Sequence, residues 1–282
     1  MILTPKFFLF YHTLFTYYTI PPPARLAMFV RSFWVFEIEN ETPQPYVYRS
    51  MADGCVEFIF HYKGSFKELT EKDNISQSLS MIHAQSQKVR RFLTTENFGI
   101  FGAYLYPYAI PYLCSMPSSE LSNEMPDLEM LYGSEGKALE ENMMLAVNNT
   151  GRLRILTAFF EKKFLPHSGR EPGMFACINH IIYSNGMVNV RKLSDKYFLS
   201  TRQFERKFKE HAGFAPKLYA RIIRFQSARR TNFNKQKSLT EIAYDYGYYD
   251  QSHFIHDFKE FSGYQPKEFF YGHAEGSEFR NL

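Results

Sequence analysis

Gly247-Tyr-Tyr-Asp-Gln-Ser-His-Phe-Ile-His-Asp-Phe-Lys-Glu-Phe-Ser-Gly-Tyr-Gln-Pro266 is the stretch on which the fold turns. Phe254 and Phe258 stand four apart, so they share one face of a helix. Asp250 sits where an N-cap belongs, Gly263 where a helix ends in the left-handed conformation, and Pro266 where the next helix begins. Upstream, Ile242 and Tyr246 form another apolar pair at helical spacing. Gly247 supplies the turn glycine of a helix-turn-helix unit.

The same pattern occurs earlier in the chain. Phe204, Phe208, Lys209, Glu210, Gly213 and Pro216 match Phe254, Phe258, Lys259, Glu260, Gly263 and Pro266 at a constant offset of 50. Leu193 and Tyr197 supply the preceding apolar pair. Ser200 takes the N-cap place, and Gln203 three residues on predicts a capping box. Phe198 stands near the place that Gly247 fills in the second copy, so the first turn must be built differently. Two copies mark a duplication, not a solenoid. Between them, Pro216 to about Asn232 reads as a connecting helix. Leu218, Ile222, Phe225 and Ala228 point inward; Lys217, Arg221, Arg224, Arg229 and Arg230 are expected outside. A helix of ~17 residues spans roughly 25 Å. Such a rod holds two recognition helices near the ~34 Å repeat of B-DNA, in successive major grooves.

The second helix of each unit carries the outward polar set. In the first copy this is Thr201, Arg202, Gln203, Glu205, Arg206 and Lys209; in the second it is Gln251, Ser252, His253, Ile255, His256 and Lys259. Arg pairs with the guanine O6/N7 edge, Gln with adenine and Glu with the cytosine amine. Lys209 and Lys259 hold equivalent places, which suits phosphate contact. The competing reading is a pair of solvated helix faces. A matched duplication with basic flanks favours double-stranded DNA.

Residues 174–271 resemble the AraC-type DNA-binding domain, and the Gly247–Pro266 motif is close to the signature around that family's second unit. The resemblance implies seven helices, two helix-turn-helix units and one long connecting helix. It also implies a transcription regulator that works with RNA polymerase. The family's common basic residue two positions before Phe258 is His256 here. More loosely, Leu26–Trp34, Asp53–Phe60, and Phe101–Tyr108 with Leu113 and Leu121 resemble a domain that precedes this module in many such regulators. That resemblance implies a cupin-like β domain for effector sensing or dimerisation.

Charge and composition agree with a two-part chain. Of 282 residues, 45 % are apolar and 18 % aromatic, enough to build a core throughout and to exclude disorder. Residues 174–282 hold 17 Lys and Arg against 11 Asp and Glu, a net of +6, whereas 1–173 hold 16 against 18, a net of −2. A basic module joined to a slightly acidic one fits a polyanion-binding end. Pro166 to Gly173 has two Pro and two Gly in eight residues and reads as a hinge. The expected division is therefore a domain at 1–165, a hinge at 166–173 and a DNA-binding domain at 174–282.

The N-terminal part reads as mainly β with trailing helices. Val56, Phe58, Phe60 and Tyr62 alternate with Cys55, Glu57, Ile59 and His61, after an Asp53-Gly54 turn. Ile100 to Leu113 is apolar but broken by Pro107 and Pro111, which assigns part of it to an edge strand or loop. Helical stripes follow from about Pro126, the clearest over Arg152 to Phe164. Phe7 to Ile20 is short of the roughly 20 apolar residues that span a bilayer. It also lacks a signal-peptide cleavage pattern, so no membrane association is expected.

Enzymatic readings rest on the N-terminal part. A metal-dependent cupin wants clustered histidines with a carboxylate. Asp53, Glu57 and His61 fall at i, i+4 and i+8, but there is no His-x-His, and His83 is the one nearby second histidine. A DNA-repair methyl acceptor needs a nucleophilic cysteine and clustered zinc cysteines. Cys55, Cys114 and Cys177 stand alone, which fits neither that chemistry nor a disulfide framework and suits a reducing cytoplasm. Cys177, among Phe175, Ile178 and Ile181, reads as core. The expectation is a cytoplasmic non-enzyme with no cofactor. Its N-terminal domain takes a small-molecule effector, forms a homodimer, or both.

Overall fold

Among the described residues, the β-branched and aromatic runs up to Leu105 become ten strands. They are β1 (Lys6–Phe10), β2 (Thr13–Ile20), β3 (Val30–Glu39), β4 (Tyr46–Ser50), β5 (Val56–Lys63), β6 (Lys67–Leu69), β7 (Asn74–Ser76), β8 (Ser80–His83), β9 (Arg90–Thr94) and β10 (Phe98–Leu105). The computed structural model describes residues 6–10, 13–42, 44–167, 173–197, 199–230 and 237–270. Two antiparallel sheets result, one ordered β1-β2-β3-β10-β5-β8 and the other β4-β9-β6-β7. This is the β domain with trailing helices that the sequence led us to expect.

The period-2 alternation of β5 separates two buried faces instead of a wet and a dry one. Val56, Phe58 and Phe60 face the main core, while Ile59 packs with Phe36, Phe66, Phe92 and Phe98 in a second, smaller core. Part of Ile100 to Leu113 lies outside any strand, as expected, while Ile100–Leu105 belongs to β10. β10 is a central strand, paired with both β3 and β5. The prolines fall just beyond it, Pro107 opening a short 3-10 turn and Pro111 in the first turn of the helix that follows, where no ladder donor is lost.

Five helices follow: α1 (Ile110–Cys114), α2 (Ser118–Leu121), α3 (Leu128–Tyr132), α4 (Ser134–Leu145) and α5 (Asn149–Phe164). Seven more lie beyond: α6 (Gly173–Tyr183), α7 (Val190–Lys196), α8 (Thr201–Ala212), α9 (Pro216–Arg229), α10 (Leu239–Asp245), α11 (Gln251–Ser262) and α12 (Pro266–Phe270). Among the described residues from Gly173 onward, these seven are the helices. Among the described residues no helix is long and apolar enough to cross a membrane.

Of the expected hinge at 166–173, residues 168–172 lie outside those described. The two sides of it share one continuous apolar core. Phe29 stacks on Phe164 at 4.4 Å and meets Phe175 edge-on at 6.0 Å, and Tyr108 stacks on Phe175 at 4.0 Å. Gly54, in the turn before β5, lies so close to α9 that a Cβ there would stand 2.8 Å from Ile223 and 3.0 Å from Tyr219.

Candidate nucleic-acid interface

Each helix-turn-helix unit is built by the local chemistry of its own copy. Ser200 accepts from the Gln203 amide while the Gln203 side chain accepts from the Ser200 amide, the predicted capping box of α8. Asp250 caps α11 by accepting from His253 N at 2.7 Å. Gly213 and Gly263 end the two helices at φ +82° and +73°, and Gly247 turns the second unit at φ +67°. An L side chain is strained at such angles, which explains glycine at all three places. Phe198, the residue on which the first turn was expected to differ, lies outside those described. Phe204 and Phe208 of α8 are buried, as are Phe254 and Phe258 of α11. α9 ties the units together. Tyr219 packs edge-on against Phe208 at 5.5 Å, and Phe225 packs against Phe258 at 5.3 Å.

The polar set of α8 faces outward. Thr201, Arg202, Gln203, Glu205, Arg206 and Lys209 are all exposed. Arg206 pairs with Glu210 one turn on, at 2.9 Å, and Gln203 is engaged in the cap. On α11, Ser252, His256 and Lys259 are exposed while Gln251 and His253 are half-buried. The Gln251 side chain accepts from Thr240 at 2.7 Å. The His253 ring meets Tyr248 edge-on at 5.3 Å. The two helices differ in charge. Thr201–Ala212 carries four Lys and Arg against two Asp and Glu, and Gln251–Ser262 carries one against two.

The basic face expected on α9 is largely consumed within the protein. Arg221 binds Asp257 at 2.7 Å and Glu260 at 2.6 Å. Arg224 donates to Gly186 O at 3.1 Å and lies over the Tyr248 ring. Arg229 is enclosed near Asp53, Tyr48 and Glu57 of the β domain. Only Lys217 and Arg230 of that set are exposed. The helix has protein on two sides, which its inward stripe alone did not reveal. The described helix ends at Arg229, and the expected end near Asn232 lies outside the described residues.

The residues weighed for other chemistry are dispersed. Glu57 on β5 faces His83 on β8, with 3.9 Å between carboxylate and ring nitrogen, whereas His61 packs against Phe66. Burial holds both imidazoles well below their ordinary value, at about 4. Burial, reinforced by Asp53, raises the Glu57 carboxyl to about 8. Burial also pushes the Cys55 and Cys177 thiols up to about 12, unlike activated nucleophiles. Among the described residues, His256, Asp257 and Glu260 lie close enough to share one ion. Arg221 already neutralises both of those carboxylates.

What sequence reasoning missed is a set of contacts from the β domain to the helix-turn-helix units. Ser118 Oγ lies 2.9 Å from His211 O, and Ser122 Oγ lies 3.0 Å from Gly213 O. Ala52 N donates to Phe261 O at 2.9 Å, and the Arg49 guanidinium lies 3.9 Å from the Tyr264 ring centroid. Contacts across 91 to 215 positions leave no periodic trace.

Two helix-turn-helix units on one connecting helix, behind a double-sheet β domain, define a two-domain DNA-binding protein. Residues 193–271 match the family model described as a helix-turn-helix domain, and residues 18–127 match a domain of unknown function, DUF6597. The C-terminal module is an AraC-type helix-turn-helix domain. No curated protein sequence matches the chain. Among solved structures, fatty-acid-bound ToxT from Vibrio cholerae is similar at 13 % identity and TM-score 0.44, over 96 % of each chain. Apo ToxT from the same organism gives 13 % and 0.43, over 92 % of this chain and 97 % of that one. The AraC-like transcriptional activator CuxR gives 11 % and 0.30, over 76 % and 80 %. Similarity at this level leaves the assignment to the family model and the helix geometry.

Proposed function

We propose that this protein is a sequence-specific regulator of transcription that grips duplex DNA with α8 and α11 in successive major grooves. One observation carries the reading: two helix-turn-helix units, related by the 50-residue offset, each present a capped helix with an outward polar face. The contacts proposed are Thr201, Arg202, Gln203, Glu205, Arg206 and Lys209 from the first unit, and Gln251, Ser252, His253, His256 and Lys259 from the second. Lys209 and Lys259 hold phosphates, and Arg206 reads a base edge. The charge difference between the helices divides the labour. The first unit supplies most of the electrostatic hold, and the second reads mainly through neutral hydrogen-bonding groups.

In this reading the β domain at 1–165 does no chemistry. It alters DNA binding through its contacts with 174–282, by taking a small-molecule effector or by pairing with a second copy. Coupling requires that ligand or partner favour one of two arrangements of those contacts. RNA polymerase is the partner that a regulator of this kind addresses.

The test is retardation of duplex DNA by the full-length chain across a salt series. Sequence-selective binding that weakens steeply with salt is expected, since phosphate neutralisation releases counterions. Salt-insensitive binding, or retardation of no genomic duplex, would sink the proposal.

A further inference from the structure

The carbonyls of the last turn of a helix have no partner within it and need one from elsewhere. In α8 and α11 the β domain provides that partner at the same repeat position. His211 O accepts from Ser118 Oγ at 2.9 Å, and Phe261 O, fifty residues on, accepts from Ala52 N at 2.9 Å. The next residues are held too. Ser122 Oγ lies 3.0 Å from Gly213 O, and Arg49 lies over the ring of Tyr264, the counterpart of Phe214. Both terminal glycines are pressed against the β domain. A Cβ on Gly213 would stand 1.7 Å from Gln85 Nε2, and one on Gly263 would stand 2.8 Å from Arg49 Nη1. Between these grips, Gly54 sits on α9 at Tyr219 and Ile223.

We propose that the β domain sets the half-site spacing this protein accepts, with Ser118, Ser122, Ala52 and Arg49 acting as positioning residues for α8 and α11. The inference rests on the DNA-binding reading above. Without the β domain the two units would be joined chiefly through α9, by the Tyr219–Phe208 contact to the first and by Phe225–Phe258 and the Arg221–Asp257 pair to the second, and could hinge at those contacts. A body that touches both units at their helix ends, and the helix between them, closes a triangle and removes that freedom. One base pair of extra spacer shifts a half-site by roughly 3.4 Å and turns it by roughly 34° about the duplex. A freely swinging pair would tolerate that change; a braced pair would not.

The Ser118 hydroxyl is fully buried and also reaches Pro107 O at 2.8 Å, so its removal risks the fold. Ser122 is half-buried. Ser122→Ala deletes one grip, and Arg49→Lys keeps the charge but loses the flat stacking surface at the other.

The probe is the duplex that the wild-type full-length chain selects from a randomised 30-base-pair library, remade with its spacer changed by one base pair either way. Wild type should lose about 10-fold or more in affinity on the altered spacers. Ser122→Ala and Arg49→Lys, shown folded by thermal melting, should narrow that loss to about 3-fold or less, with unchanged affinity for a single half-site. Identical spacing profiles for wild type and both variants would overturn the proposal. A second measurement needs no variant. In the wild-type chain the Ala52 amide should exchange slowly when free and on the selected duplex, and faster when saturated with a misspaced one. Equal protection on both duplexes, with equal affinity for them, would also overturn it. Failure to select any duplex would instead remove the DNA-binding reading.

Discussion

Arg221 on α9 grips Asp257 on α11 with the Nε/Nη2 edge of its guanidinium, Nη2 2.7 Å from Oδ1 and Nε 3.3 Å from each carboxylate oxygen. Asp257 is 1 % exposed and Arg221 26 %. His253 and His256 also face that carboxylate, at 3.8 and 3.6 Å. Arg221→Ala strands a buried acid, and removal of one partner of a buried pair costs about 3–5 kcal/mol. The part exposure of Arg221 puts the expected loss near the low end, read as a shift in urea unfolding. The double replacement Arg221→Met with Asp257→Leu should recover much of it. No loss in the single variant would mean that the histidines alone compensate Asp257.

The Arg206–Glu210 pair is exposed on both sides and spaced one helical turn apart, a geometry worth only about 0.3–0.5 kcal/mol. In the proposed complex Glu210 would compete with a base edge for the Arg206 guanidinium. Glu210→Ala should therefore tighten DNA binding a few-fold. Arg206→Ala should weaken it by roughly 1–3 kcal/mol and relax preference at one base pair. Lys209→Ala should weaken all sequences alike and reduce the salt slope by about 1. Binding-site selection with each variant separates these outcomes. Loss of affinity without loss of preference in Arg206→Ala would make it a phosphate contact.

Two glycine replacements should part company. Gly213 combines φ +82° with a neighbour 1.7 Å from any Cβ, so Gly213→Ala should cost at least the ~1–2 kcal/mol of the left-handed conformation. Gly151 lies inside α5, where a Cβ would meet Ala146 at an ordinary 3.6 Å. Gly151→Ala should be neutral or stabilise by up to about 1 kcal/mol, because glycine is a poor helix former. Thermal melts of the two variants decide it.

The helix-turn-helix units were legible because their signals are local. Ser200 with Gln203, Asp250, Gly213, Gly263 and the paired phenylalanines each act within a turn or two of the chain, and the duplication doubled every signal. The end of β10 was legible, since Pro107 and Pro111 mark where a strand must stop, but nothing local showed that the strand before them is central. The packing of α9 was half legible. Its inward stripe was visible, but Arg221 and Arg229 read as free cations because Asp257, which binds Arg221, and the β-domain residues that enclose Arg229 lie far off in sequence. The grips of Ser118, Ala52 and Arg49 had no signal at all, since nothing in a lone serine or alanine tells which carbonyl it will meet.

Stability should peak between about pH 6 and 7. His61 and His83 are 7 % exposed, and burial holds their folded values at about 4 against an ordinary 6.5. Between those limits the unfolded chain binds protons that the folded one refuses, so stability falls as pH drops from 6.5 toward 4. Glu57 works the other way. Its folded value of about 8 stands above the ordinary 4.5, so the folded chain keeps a proton that the unfolded one releases, and stability falls as pH rises through that window. Between 4.5 and 6.5 two histidines oppose one carboxyl and stability climbs; above 6.5 the carboxyl acts alone and it declines. Glu57→Gln keeps the shape and removes the charge, so it should abolish the decline from pH 6.5 to 8 and leave the acid limb in place. His61→Phe, set beside Phe66 at 5.0 Å, should flatten the acid limb and spare the alkaline one. Melting temperatures across pH 4 to 9 for the three chains test this. A Glu57→Gln curve parallel to wild type above pH 6.5 would show that the carboxyl is ionised in the fold, with Arg229 as its counter-charge.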